Sequence, residues 1–305
     1  MIDIDYYLNQ LGKNNFVIFL FHGVVEHSNY EVRNYTKKHL RKNEFEKFIE
    51  GLKLKGNPIS MEEVLFNYQN KIKYRPFSYA ITFDDGFENN YTNAAPILDN
   101  YNQKATFYIS TDLIENNTIT WTDKIEFCLE NIQCGVIKLP WEIDEISFTD
   151  KITKISIMKN LRNYLKSNLD INPSEIVDYF YKKFKIDPKE CGNSELDKKM
   201  NWDQVKNLNN HSNFIVAGHS NRHLSLTSLS SNDLEKEIET SLKLLSEKGH
   251  VRSHHYSYPE GQEIDYSDNV IKCLKEKEIK CCPTAIPGVN NNKTNLFHLK
   301  RIMVD

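Results

Sequence analysis

Two short segments far apart in the chain have to meet, and that requirement limits the available folds more than any other feature. Thr82-Phe83-Asp84-Asp85-Gly86-Phe87 closes one apolar run, and His219-Ser220-Asn221-Arg222-His223 closes another. Together they offer two adjacent carboxylates and two imidazoles. That is enough for a catalytic zinc with three protein ligands and one carboxylate left over as a proton carrier. Residues four apart in a tight turn point the same way, so His219 and His223 can grip one ion while Arg222 points elsewhere. Side chains in succession at a strand end diverge, so one of Asp84 and Asp85 binds and the other stays free. Gly86 lets the backbone turn sharply after them.

The remaining pattern supplies strand ends on which such segments can sit. Phe16-Val17-Ile18-Phe19-Leu20-Phe21 is apolar on both faces, as a buried parallel strand is, and stops at His22-Gly23. A helix follows with Phe45, Phe48, Ile49 and Leu52 on one face. Residues 78–83, 104–109, 213–217 and 255–258 are each short, β-rich and followed by polar loops. In a βα alternation of this kind the active site gathers at the carboxyl ends of the strands, where both histidines and both aspartates fall. The chain of 305 residues reads as one α/β domain spanning 1–305. Residues 126–199 differ in texture: lysine-rich, helical in rhythm and without an obvious strand. They read as a helical insertion, either a rim or cap over the substrate or an elaboration remote from it.

These residues resemble the polysaccharide deacetylases with a NodB homology domain, the family-four carbohydrate esterases. Thr82-Phe83-Asp84-Asp85-Gly86 matches that family's first motif, T-F-D-D-G, and His219-Ser220-Asn221-Arg222-His223 matches its second, H-[ST]-x-x-H. Similar pieces flank them: Phe87 to Tyr91 leading into Ala95-Pro96-Ile97-Leu98, then Lys104 to Ile109, and Trp202 to Val205. The resemblance covers roughly residues 15–305. It implies a distorted (β/α)7 barrel, with Asp85, His219 and His223 as metal ligands and Asp84 as catalytic base. The third family motif is matched by His255-Tyr256-Ser257-Tyr258-Pro259-Glu260-Gly261, with Glu260 in place of the usual Tyr. Tyr258, Pro259 and Glu260 are thereby candidate substrate or oxyanion residues, the oxyanion donor being the backbone N–H at Glu260. The arginine that normally braces the catalytic aspartate is missing from this strand. Arg301 is the candidate replacement, its other reading being a surface ion pair. Leu296-Phe297-His298 fits the family's last motif, which makes His298 the candidate general acid. On one strand, however, His298 and Arg301 point to opposite faces, so both serve the site only if the chain bends between them.

Other polar residues carry two readings each. His22 either approaches the metal or sugar, standing in reserve as the acid, or is a cap or core histidine. Trp121 and Asp123 either stack on a pyranose and bind its hydroxyls or belong to a core. His254 and His255 alternate, so at most one faces the barrel mouth. His27, His39, His211 and His250 read as surface residues.

The formal net charge of -3 provides no basic field for nucleic acid. The acidic start, Met1 to Tyr7, lacks the form of a secretory signal, and no apolar run approaches a membrane span. The six cysteines show no paired metal spacing and read as buried thiols in a reducing cytoplasm. The expected activity is metal-dependent removal of an N-acetyl group from an amino sugar in a glycan or a carrier-linked precursor. Zinc is the expected ion, with cobalt or nickel as substitutes. The alternatives are an amidase of the same fold acting on another acyl group, such as a sugar deformylase, or a metal-containing glycan binder without turnover. Oligomeric state is open.

Overall fold

The computed structural model describes residues 3–27, 29–168 and 171–305. Met1 and Ile2 of the acidic start, and Leu169 and Asp170 of the lysine-rich stretch, lie outside the described residues. Two compact units form. One comprises Met1–Glu26, Lys38–Thr118 and Lys198–Asp305, the other His27–Lys37 and Ile119–Asp197.

The first unit begins with α1 (Ile4–Leu8), β1 (Phe16–Phe21), β2 (Gly23–Val25), β3 (His39–Arg41), α2 (Lys42–Lys55), β4 (Asn57–Pro58) and α3 (Met61–Gln69). It continues with β5 (Ser78–Phe83), α4 (Ala95–Asn100), β6 (Ala105–Ile109) and α5 (Thr111–Asn116). The second unit holds α6 (Trp121–Asn131), β7 (Gly135–Ile137), β8 (Ile146–Phe148), α7 (Lys151–Ser167) and α8 (Pro173–Phe184). The chain then returns to the first unit for α9 (Trp202–Asn209), β9 (Phe214–Gly218), α10 (Ser231–Gly249), α11 (Asp268–Glu276) and β10 (Ile302–Met303).

Strands β1, β5, β6 and β9 lie parallel, with Leu20 opposite Thr82, Thr82 opposite Thr106, and Ile109 opposite Gly218. Beyond β9 the pairing continues as single parallel bridges, Gly218 to Tyr256, His255 to Cys281 and Pro283 to Leu299. The ring returns through β10, where Ile302 faces Phe19 of β1. Seven parallel segments thus follow one another around the circuit, four regular and three reduced to bridges or a two-residue strand. This is the distorted α/β barrel of the NodB type.

Burial on both faces explains the unbroken apolar runs. Val17, Phe19 and Phe21 of β1 pack with Phe45, Phe48, Ile49 and Leu52 of α2, the helix face the sequence spacing predicts. Phe16 and Ile18 point the other way, into a second cluster with Ala80, Tyr256 and Tyr258. Thr82 and Asp84 alternate onto that second face, so a polar strip ends at the carboxyl edge of β5.

The second unit has its own core, in which Ile125, Leu129, Leu161, Ile176 and Phe180 pack with Val32 and Phe148. It is mostly helical, but β7 and β8 form an antiparallel pair, Val136 opposite Ser147, where the sequence showed no strand. Three residues per strand are too few for a period-two signal to emerge. Residues 31–33 join this unit because the Glu130 carboxylate accepts their backbone N–H groups, and Arg33 forms a buried ion pair with Asp197.

Candidate metal centre and catalytic base

Asp84 and Asp85 stand at the carboxyl edge of β5, where the backbone N–H of Asp84 still donates to Phe21 at 3.0 Å. Asp85 then takes φ 75° and Gly86 φ 76°. The reversal therefore starts one residue before the glycine. Aspartate tolerates the left-handed region better than most side chains, and here it turns the second carboxylate away from the first. His219 follows β9 directly; Ser220 and His223 are also left-handed, at φ 62° and 57°. Non-glycine residues in this region cluster at sites whose geometry the surrounding fold dictates.

Asp85, His219 and His223 each aim one ligand atom at a common point, all three atoms lying within 4.8 Å of one another. Asp85 Oδ1 is 3.0 Å from His223 Nε2 and 3.5 Å from His219 Nε2. Tetrahedral ligands at zinc bond lengths stand about 3.3 Å apart, so these separations suit one small cation. His219 Nδ1 lies 3.1 Å from the Ser257 carbonyl oxygen. An N–H donated there fixes the tautomer and leaves Nε2 as a lone pair directed at the cluster. Asp85 Oδ1 is buried without a hydrogen-bond donor. Converging lone pairs around a buried carboxylate oxygen are a donor set that a divalent cation satisfies, and the residues fit one.

Asp84 is held differently. Arg301, 1% exposed, donates from Nη1 to Asp84 Oδ1 at 2.8 Å and from Nη2 to Oδ2 at 2.7 Å. Its other donors reach Thr82 Oγ1, Ser257 Oγ and the Thr284 carbonyl oxygen. Five guanidinium N–H groups thus find five acceptors, which is what burial of this cation demands. The surface-ion-pair reading of Arg301 is thereby excluded. Burial pushes the Asp84 carboxyl up, but the Arg301 charge and hydrogen bonds, aided by His219, outweigh it and hold the group below the usual carboxylate range. Asp85 is held well below that range: burial opposes ionisation, and His223 and His219 overcome it. Burial lowers the His223 pKa, yet Asp85, with Glu260 behind it, reverses the direction and leaves it raised.

The remaining candidates divide. His22 is within electrostatic reach of Asp85 and Asp84, and burial, only partly offset by them, lowers its pKa. Its carbonyl oxygen accepts from Asn90 Nδ2 at 2.6 Å, which ties the β1 edge to the turn after the aspartates. Glu260 follows Pro259 with φ 59°. The Tyr258 side chain is placed otherwise than expected. Its ring is buried in the second core cluster and stacks on Tyr266 at 4.7 Å, and its hydroxyl donates to the Phe297 carbonyl oxygen at 3.3 Å. Between the two buried tyrosines, Ser257 is the residue of this segment that reaches Asp84, its hydroxyl 3.4 Å from Oδ2. His298 sits against Tyr266 at 5.4 Å, with no described contact to Asp84, Asp85, His219 or His223. Arg301 meets Asp84, whereas His298 closes the turn that precedes this segment, its backbone N–H donating to the Asn295 carbonyl oxygen at 2.9 Å. Trp121 opens α6 and packs against the second unit's core; Asp123 is buried and accepts from Thr120 Oγ1 at 2.8 Å, which matches the core reading.

His39 corrects another expectation: it is 3% exposed, with its ring 4.6 Å from Phe87. Gly23 leaves the space, since a Cβ there would meet the His39 ring. His255 is fully buried, its Nδ1 3.1 Å from the Tyr108 hydroxyl. Sequence reading gave no role to Ser257, whose carbonyl oxygen faces His219 and whose hydroxyl takes a hydrogen bond from Arg301. Only its place inside the third motif's segment hinted at it.

The class these features define is an α/β barrel with an Asp-His-His cluster able to hold a metal ion, beside an arginine-held aspartate. A family model for polysaccharide deacetylase matches residues 71–155 and 172–282, and the chain belongs to that family. No curated protein matches the chain in sequence. Among solved structures it is similar to the Streptococcus pyogenes deacetylase PplD in complex with acetate, at 17% identity and a TM-score of 0.62, covering 95% of this chain and 92% of that one. IcaB from Ammonifex degensii is similar at 13% identity and a TM-score of 0.60, over 97% and 94% of the two chains. A de-N-acetylase from Aggregatibacter actinomycetemcomitans is similar at 15% identity and a TM-score of 0.57, over 96% and 95%. Identities this low carry the fold.

Proposed function

We propose that this protein is a metal-dependent N-deacetylase of an amino sugar, with Asp85, His219 and His223 holding the ion and Asp84 acting as base. The observation that carries the reading is the forked Arg301–Asp84 pair beside the ligand cluster. A divalent ion there, zinc by its donor set and cobalt or nickel in its place, would polarise the acyl oxygen and acidify a water. Asp84, kept ionised by Arg301, takes that water's proton as it attacks the acyl carbon. The backbone N–H of Glu260 is the proposed donor to the oxygen on which charge builds. The proton on Asp84 is then available to the departing nitrogen, with His22, coupled electrostatically to both aspartates, as a further carrier. Acetate and a free amine are the products.

Family membership, with PplD named a deacetylase and the Aggregatibacter protein a de-N-acetylase, supports this chemistry over deformylation. The missing motif-three arginine favoured a binder without turnover; the guanidinium of Arg301 on Asp84 takes that argument away. Six free thiols support a reducing compartment, and hence a precursor or carrier-linked substrate. No helix among the described residues is long and apolar enough to cross a membrane.

The test is acetate release from N-acetylglucosamine oligosaccharides and their nucleotide- and lipid-linked forms after chelation and zinc add-back. Zinc-dependent acetate from any of these supports the reading; zinc binding with no acyl product from the panel sinks it.

A further inference from the structure

Two helices grip the loop His219–His223: the first turn of α5 holds its carbonyl oxygens, the Thr111 and Asp112 backbone N–H groups donating to Ser220 and Asn221 at 3.2 and 2.8 Å, and α10 holds its N–H groups through one buried carboxylate. Glu237 on α10 is 2% exposed, and its Oε1 accepts the backbone N–H of Asn221 at 3.1 Å and of Arg222 at 2.6 Å. Oε2 takes the Arg222 Nε–H at 2.8 Å. One turn on, Ser241 Oγ donates to the Ser220 carbonyl oxygen at 3.2 Å, so residues four apart on one helix face grip the loop at successive peptides. The Ser220 hydroxyl in turn accepts the His223 backbone N–H at 2.8 Å.

The loop needs this grip. Ser220 and His223 are both left-handed, a conformation that non-glycine residues hold only when their surroundings impose it. Between them, the Asn221 and Arg222 N–H groups are taken by the buried Glu237 carboxylate in charge-assisted hydrogen bonds. A buried anion that already has three donors is also costly to move, which makes it a stiff anchor.

We infer that Glu237 is a positioning residue for metal binding: it sets the spacing of His219 and His223 before any ion arrives, and Ser241 assists it. This rests on the proposed Asp85-His219-His223 site. In Glu237→Gln the amide keeps the shape but loses the charge that strengthens both backbone bonds, and its NH2 must face either those N–H groups or the Arg222 Nε–H, so the grip on the loop weakens.

The readout is zinc affinity of the chelated full-length protein, measured by competition with a chromophoric chelator, with Tm recorded alongside. Glu237→Gln is expected to weaken zinc binding by about 10–100-fold, the usual cost of losing an outer-shell partner, with kcat at saturating zinc retained. Arg222→Ala leaves both backbone bonds in place and is expected to bind zinc within about threefold of wild type. Should Glu237→Gln fail to fold, Ser241→Ala, which removes a single donor, is expected to weaken zinc several-fold. Zinc affinity unchanged in the folded variants, with Tm alone lowered, assigns Glu237 a structural role only and overturns the inference. Absence of zinc binding by the wild type overturns the metal-site reading and this inference together.

Discussion

The two sides of the barrel are built to different rules. From β1 to β9 the strands are regular, their side chains almost wholly apolar, and their pairing continuous. From Tyr256 to Leu299 the circuit is carried by single bridges, with Ser257, Thr284 and Arg301 buried among the apolar groups. The regular side presents Asp85, His219 and His223, the proposed metal ligands, at and just beyond its strand ends. The irregular side provides what keeps Asp84 ionised. Regular pairing is a good way to fix a strand end in space; a buried guanidinium needs acceptors from several directions, which broken pairing leaves free.

The sharpest way to break this division of labour is Asp84→Asn. Zinc affinity should stay near wild type while acetate release falls by on the order of 10³-fold, a loss within the range for a general base. Acetate release unchanged by this substitution would remove Asp84 from the base's role. Arg301→Leu removes the cation and strands Asp84, so stability should fall by about 3–5 kcal/mol in chemical denaturation. In an Asp84→Asn background the same change should cost far less, because no buried anion remains; equal costs in both backgrounds mean the pair is not coupled.

The sign of the pH effect follows from the same pair. Asp84 lies below its ordinary value of 3.8, so its contribution to stability is present above that pH and is lost only as pH falls through the lower folded value. Acid unfolding of wild type should therefore show a component near and below pH 3.8 that Asp84→Asn lacks. A smaller contrast separates two histidines: His22→Ala should lower kcat by on the order of 10²-fold, and His298→Ala by about threefold or less. The reverse order would return His298 to the acid's role. Smallest of all, Tyr258→Phe should cost about 1 kcal/mol for its bond to Phe297 and leave KM and kcat alone. A marked rise in KM would mean that the hydroxyl reaches substrate.

Legibility in the sequence tracks the same division. The β1 run, the α2 face and the strand ends bearing Asp85 and His219 were readable because burial on both faces and helical spacing leave a local pattern. Arg301 was readable as a candidate but not as a buried one. Its five acceptors come from Thr82, Asp84, Ser257 and Thr284, and no window of sequence contains them together. His39 was misjudged for a similar reason, since the space for its ring is made by the absent side chain of Gly23. Glu237 gave no signal at all; on an amphipathic helix, an acidic residue reads as solvated until a loop is seen to close over it.

The amino-acid order alone determined which atoms can ligate a cation and that parallel strand ends must present them, because both follow from residue type and local spacing. Only the tertiary structure decided which carboxylate Arg301 holds, which oxygens share that cation, and that the Tyr258 ring turns into the core. Those outcomes depend on the direction of side chains in segments as much as 217 positions apart, and that direction is set when the ring of strands closes and every buried charge finds its partner.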